Sequence, residues 1–247
     1  MGKLDGKVAV ITGSTSGMGR DTAYLFAKEG AKVLITGRNE DRAKAAVEKI
    51  RNEGGIAEYV IADTHDLKSA DVIYNACMDK FGTCDILINN AGQLSITPIF
   101  ELTLEEWTEC INVNVTMAML LGQKFGKVMV DKGEGHIVNI SSIAGTSAHW
   151  GPTAYCTTKF AMNGLTRAMA NEMGPKVHVN GIQPGAIKTA MLDSVGGEAA
   201  CGFMIERSPL KRVAEGSEIA TAALFLCTSE SSFIDGQLIR VDGGVDC

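Results

Sequence analysis

The sequence predicts an α/β fold: a doubly wound parallel sheet with helices on both faces, in one domain over residues 1–247. Two observations carry this. Short apolar, β-branched runs alternate with segments of helical period from one end of the chain to the other, the pattern of parallel strands joined by crossover helices. The first run leads into a glycine-rich turn, Gly13-Ser14-Thr15-Ser16-Gly17-Met18-Gly19, that opens a helix. A Rossmann-type fold carries its phosphate-binding turn at that place. There is no linker, internal repeat or low-complexity segment.

In chain order, Val8–Thr12 (VAVIT) reads as a strand buried on both faces. The helical pattern RDTAYLFAKE follows, closed by Gly30. Lys32–Thr36 is the second strand. Asn39 caps the next helix, with Glu40 and Asp41 in its first turn and Gly54-Gly55 at its end. Ala57–Ala62, Asp85–Asn89, Ile137–Ser141, Val177–Ile182 and Gln237–Val241 read as the remaining strands. Leu67–Phe81, Thr103–Asp131, 153–173 and Ser217–Leu226 read as helices. Residues 190–208, with Gly196-Gly197 and several apolar side chains, read as a mobile lid or as an ordinary surface insertion.

Hydrophobic content of 45% with 21% charged residues is that of an ordinary globule. A net charge of −6 without a Lys/Arg block argues against nucleic acid and anionic membranes as partners. No apolar run is long enough to span a bilayer, and the N-terminus lacks a signal-peptide layout. Seven scattered cysteines without C-x-x-C, and histidines spread over positions 65, 136, 149 and 178, fit neither a disulfide framework nor a metal site. These features predict a cytoplasmic protein.

Tyr155 and Lys159 stand four residues apart, on one face of a helix if 153–173 is helical. A free phenol has a pKa of about 10, and a fixed cation nearby favours the phenolate. Ser142, delivered by the preceding strand and loop, is placed to hold a substrate oxygen near that phenol. At the tip of the second strand Gly37 stands where an NAD-preferring fold usually has an acid, and Arg38 follows with a guanidinium suited to a phosphate. Asp63-Thr64 either borders the adenine or caps a helix. Asn89-Asn90-Ala91-Gly92 and Pro184-Gly185 end strands four and six, where ligands sit in open α/β sheets. His149 and Trp150, in the loop before Tyr155, are pocket lining or surface packing.

Taken in order, TGSTSGMG (12–19), NNAG (89–92), Asn114 in INVNV, Ser142, Tyr155-Cys-Thr-Thr-Lys159 and PGAIKT (184–189) make the chain resemble the short-chain dehydrogenase/reductase family, from about Lys7 to Gly244. The resemblance implies a catalytic tetrad of Asn114, Ser142, Tyr155 and Lys159. Tyr155 is then the general acid or base, and Ser142 polarises the substrate oxygen. Lys159 lowers the phenol pKa and binds the nicotinamide ribose, and Asn114 holds a water. It also implies a cofactor site from Gly13 to Gly19, Arg38, Asp63, Thr64, Asn90, Ala91, Gly92, Tyr155, Lys159, Pro184, Gly185, Ile187 and Thr189. Ser16 stands where many NADP-preferring members carry a basic residue.

These features together predict an NADP(H)-dependent oxidoreductase, with NAD(H) the alternative cofactor, that interconverts a secondary alcohol and a ketone. A hydroxysteroid suits the apolar lid. The rivals are a 3-oxoacyl-thioester reductase, whose members usually carry Arg-Asp shortly after NNAG where this chain has Gln93-Leu-Ser-Ile-Thr, and a catalytically idle dinucleotide sensor. The family also implies a homotetramer or homodimer joined through the helices at 103–131 and 153–173.

Overall fold

The structure is a computed structural model that describes residues 2–246. Seven parallel strands form one sheet in the order β3-β2-β1-β4-β5-β6-β7. They are β1 (Val8–Ile11), β2 (Lys32–Gly37), β3 (Ile56–Ile61), β4 (Ile86–Asn89), β5 (Gly135–Ile140), β6 (Val177–Pro184) and β7 (Leu238–Val241). The strand order reverses between β1 and β4, and a crevice opens there at the strands' C-terminal ends.

Strand β1 shows why its run is unbroken rather than alternating. Ala9 and Ile11 enter a core with α1 (Gly17–Lys28), α2 (Glu40–Asn52) and α10 (Gly216–Leu226). Val8 and Val10 face the opposite core, beneath α3 (Ser69–Phe81), α5 (Met117–Lys132) and α6 (Thr153–Met173). Each side chain of the strand is buried on one face or the other.

The predicted elements are present with ends shifted by no more than three residues, the largest shift being the start of α1 at Gly17, except at 103–131. That segment divides into α4 (Leu104–Ile111), a π-helical turn over Asn112–Thr116, and α5. The helical period reads straight through a π turn, which inserts a single residue, so the sequence pattern does not reveal it. The turn holds Asn114. The segment 190–208 forms three short helices, α7 (Ala190–Asp193), α8 (Gly197–Ala200) and α9 (Gly202–Arg207). Among the described residues no helix is long and apolar enough to cross a membrane.

Candidate active site

The turn after β1 is shaped by backbone conformation. Gly13 and Gly17 have φ of +62° and +53°, values that exclude most L side chains. A Cβ on Gly19 would run into the Asn90 amide. Asn90 donates from Nδ2 to the Thr12 carbonyl at 2.8 Å, and its own N–H bonds the Thr12 hydroxyl at 2.9 Å. The glycine turn and the NNAG turn therefore brace one another across the reversal of strand order. At the start of α1, Ser16 makes no side-chain cap and the first turn carries no acid. Its N–H groups and the positive end of the helix dipole are thus open to an anion.

A cleft of about 320 Å³ runs along this turn, past Arg38, Thr64, Asn90 and Gly92 to Thr189. Of the other residues expected there, Thr15, Ser16, Met18 and Ala91 line it also. Ser14 does not. Its side chain is fully buried, donating to the Ile11 carbonyl at 2.6 Å and accepting from the Thr36 N–H at 3.0 Å, so it ties β1 to β2. Asp63 stands just behind the rim, 4.0 Å from Arg38 and 2.7 Å from His65 Nδ1. Burial raises the Asp63 pKa, but hydrogen bonds from His65 and the charge of Arg38 outweigh it and hold the carboxyl below its usual range. Arg42, one turn into α2, also lines the cleft. Sequence reasoning missed Arg42 because an exposed arginine on an amphipathic helix reads as a solvated face.

The cleft continues into a second cavity of about 180 Å³ and shares Met18, Asn90, Gly92, Thr189 and Met191 with it. Ser142, Tyr155 and Lys159 meet there, with Pro184, Gly185 and Ile187 on one wall. Apolar side chains from 190–208, among them Leu192, Val195 and Met204, close the other side. Trp150 lines this cavity; His149 is exposed outside it.

Lys159 is buried, and its ammonium donates to the Ile140 carbonyl at 3.0 Å, 5.5 Å from the Tyr155 ring centroid. Burial lowers its pKa to about 8. The expectation of a depressed phenol is not met. Burial pushes Tyr155 up to about 12, and the hydrogen bond from Ser142 offsets that only in part. In a dry pocket desolvation outweighs a cation that is itself turned toward a carbonyl.

Asn114 is fully buried in the π turn. Its Oδ1 accepts from the Gln93 N–H at 2.7 Å, and Nδ2 donates to the Gln93 carbonyl at 2.9 Å and the Thr158 hydroxyl at 3.0 Å. The amide thus pins the extended segment after NNAG to α6, next to Lys159. Gln93 in turn meets His65 Nε2 at 2.9 Å, so a chain of contacts links Asp63 at the rim to Asn114 in the core. Among the described residues no cluster of His, Cys, Asp or Glu is arranged to hold a metal ion.

A glycine-lined helix start, joined to a pocket where a half-buried tyrosine meets a buried lysine, defines a dinucleotide-dependent oxidoreductase. Residues 13–246 match the family model described as enoyl-(acyl carrier protein) reductase. The 3-oxoacyl-[acyl-carrier-protein] reductase FabG of Aquifex aeolicus is 37% identical, with 98% of each chain covered. A 7α-hydroxysteroid dehydrogenase complexed with NADH and 7-oxo glycochenodeoxycholic acid superposes with a TM-score of 0.94 at 35% identity, over 98% of this chain and 95% of that one. A putative NAD(P)-dependent gluconate 5-dehydrogenase from Beutenbergia cavernae with bound NADP gives 0.92 at 36% identity, over 98% of both chains. The chain belongs to the short-chain dehydrogenase/reductase family. It is an NAD(P)-dependent oxidoreductase acting on CH–OH groups.

Proposed function

We propose that the enzyme interconverts a ring-borne secondary alcohol and its ketone, a hydroxysteroid being one such substrate, and prefers NADP(H). One observation supports the reaction above others: Tyr155, Ser142 and Lys159 share the end of an apolar cavity that opens onto the dinucleotide cleft. When bound, the nicotinamide supplies or accepts the hydride. The Tyr155 phenol, protonated over the whole neutral range, gives its proton to the ketone oxygen and becomes a phenolate; in the reverse direction that phenolate takes the proton of the alcohol. The Ser142 hydroxyl holds that oxygen. Lys159, charged below about pH 8, stabilises negative charge arising on the phenol. Asn114 fixes the backbone on which Gly92 passes close to Lys159: a Cβ on Gly92 would lie 3.8 Å from Nζ. That space suits a ribose.

For the cofactor, Arg38 and Arg42 both reach the cleft beyond Gly37, so Arg42 takes the place of the basic residue absent at Ser16. The thioester alternative draws on the Aquifex relative. Against it, the Gln93 side chain is engaged by His65 and Glu109, and the cavity has no arginine to meet a phosphate-bearing arm. Apolar side chains exposed on α4, α5 and α6 support a dimer or tetramer, and six buried free cysteines suit the cytoplasm. A panel of cyclic ketones, acyclic ketones and 3-oxoacyl thioesters, followed at the nicotinamide absorbance with each cofactor, tests the reading. Turnover confined to thioesters overturns it, and no turnover at all favours the dinucleotide sensor.

A further inference from the structure

Among the described residues Trp150 is the one aromatic side chain besides Tyr155 on the wall of the substrate cavity, and no side chain of its own loop holds the indole there. The short 3₁₀ turn that carries it, Ala148–Trp150, buries none of its residues. The restraint comes from nearly a hundred residues away. The indole N–H donates to Asp246 Oδ1 at 3.2 Å. The other carboxylate oxygen accepts from the Thr146 hydroxyl and from Arg240 Nη1, each at 3.1 Å. Asp246 therefore grips the Trp150 loop at two points and is itself held by β7.

The same terminal stretch holds the lid. Arg207 Nε donates to the Val245 carbonyl at 3.1 Å, and the Ser208 hydroxyl donates to the Gly243 carbonyl at 2.7 Å. From α9 the Arg207 guanidinium lies 5.8 Å from the Trp150 ring and the Phe203 ring 6.2 Å from it. Loop, lid and strand β7 thus converge on one indole, whose orientation is set by a hydrogen bond at one edge and packing on its outer side.

We propose that Asp246 is a positioning residue which, through Trp150, sets an aromatic wall for flat, ring-shaped substrates. A planar indole gives a ring a large contact at little conformational cost, whereas a flexible acyclic chain gains less from a fixed flat surface. The inference rests on the proposed reaction with ring-borne alcohols. It assigns the selectivity for rings to the bond between Asp246 and Trp150.

The test uses the full chain, with cyclohexanone and a four-ring ketosteroid as ring probes and 2-octanone as the acyclic probe. Asp246→Ala should raise KM for the ring ketones about five- to tenfold, less than the full worth of a charge-assisted hydrogen bond because the loss reaches the substrate only through Trp150, with a smaller change in kcat. KM for 2-octanone should move by less than about twofold, within ordinary surface-substitution effects. Trp150→Phe, which keeps a ring but lacks the N–H, should behave like Asp246→Ala. Asp246→Asn, whose amide oxygen still accepts from the indole while its NH2 can donate to the Thr146 hydroxyl in place of the bond from Arg240, should restore most of the ring preference. In a Trp107→Phe background, Trp150 emission should shift to the red in Asp246→Ala and not in Asp246→Asn. Equal KM changes for ring and acyclic ketones, or failure of Asp246→Asn to rescue, overturn the role of Asp246 and leave the reaction standing. A wild-type enzyme inactive on both ring ketones sinks the reaction and this inference together.

Discussion

The Lys159 ammonium lies 5.5 Å from the centre of the Tyr155 ring and gives its hydrogen bond to the Ile140 carbonyl. The pair is adjacent without being joined. Burial acts on both partners, pushing the phenol up to about 12 and the ammonium down to about 8, so the phenol keeps its proton across the physiological range. Tyr155→Phe keeps the ring volume and deletes that proton. Turnover should fall about 10²–10⁴-fold with cofactor affinity largely retained, as seen by single-turnover kinetics and cofactor titration. A variant at near wild-type rate removes Tyr155 from the reaction. In the wild type, ketone reduction should decline as pH rises through about 8, where Lys159 loses its charge.

Lys159 also costs stability. Its pKa drops from 10.5 unfolded to about 8 folded, so both states are protonated below pH 8 and the fold carries a buried charge there. Between pH 8 and 10.5 the unfolded chain binds more protons, and stability rises with pH. The shift corresponds to on the order of 3 kcal/mol, against about 1 kcal/mol for the hydrogen bond to Ile140. Lys159→Met should therefore unfold at higher urea at pH 7 while losing activity. An equally large gain at pH 11, where neither state is charged, would show that the gain does not come from the buried charge.

A second titration lies at the opposite end of the sheet. His136 on β5 and His178 on β6 stack at 5.4 Å, paired in register, and the Nδ1 atoms of both are buried without a partner. Burial first, then repulsion from His178 and Lys7, lowers the His136 pKa to about 4, with Glu134 opposing. The folded state leaves His136 neutral where the unfolded chain protonates it. Its contribution is complete above pH 6.5 and is lost as pH falls to about 4, up to on the order of 3 kcal/mol. His136→Phe keeps the stacked ring and should flatten the loss of unfolding free energy between pH 7 and 4.5. An unchanged slope assigns acid sensitivity to other groups.

The parallel sheet, its strands and the Tyr155–Lys159 pair were legible because each rests on a local signal: β-branched runs, glycine turns, an i,i+4 spacing. The electrostatic state of that pair was not, since spacing says how near the two groups lie and nothing about how dry they are. Ser14 illustrates the same limit. It sits among the cleft-forming residues in sequence, yet its side chain points back between β1 and β2. The π turn around Asn114, the reach of Arg42 into the cleft, and the grip of Asp246 on Trp150 all depend on tertiary placement.

The proposed dimer or tetramer rests on an exposed face. Phe100 is 99% and Leu104 79% exposed, beside the start of α4, while Met119 on α5 and Phe160 on α6 are also exposed. Apolar side chains of this size on neighbouring helices suit a self-complementary contact. Light scattering at micromolar concentration should give the mass of two or four chains, and Leu104→Asp with Phe160→Asp should lower it. A wild-type mass of one chain refutes the assembly.

The proposed preference for NADP(H) rests on the tip of β2. Arg38 is two-thirds exposed and only 4.0 Å from Asp63, a loose contact that a 2′-phosphate is well placed to displace with charge-assisted hydrogen bonds. Arg42 approaches the same cleft from α2 and makes no side-chain ion pair among the described residues. A hydrogen bond to a charged group is worth about 1.5–3 kcal/mol, so NADP(H) should be preferred roughly ten- to a hundredfold, less so at high salt. Arg38→Ala should remove most of that preference and Arg42→Ala a smaller part, about three- to tenfold at a partly solvated site, with kcat/KM for NAD(H) nearly constant. Reversal needs more than a carboxylate at position 37. A Cβ on Gly37 would come within 2.6 Å of Thr15 Cγ2 and 2.7 Å of its hydroxyl. The combination Thr15→Ala, Gly37→Asp and Arg38→Ala clears that contact, repels the phosphate, and offers an acceptor to the ribose hydroxyls. It should favour NAD(H), whereas Gly37→Asp with Arg38→Ala alone should bind both cofactors poorly. The measurement is kcat/KM with each cofactor at two ionic strengths. Equal values in the wild type, or a preference for NAD(H), would refute the role given to the two arginines.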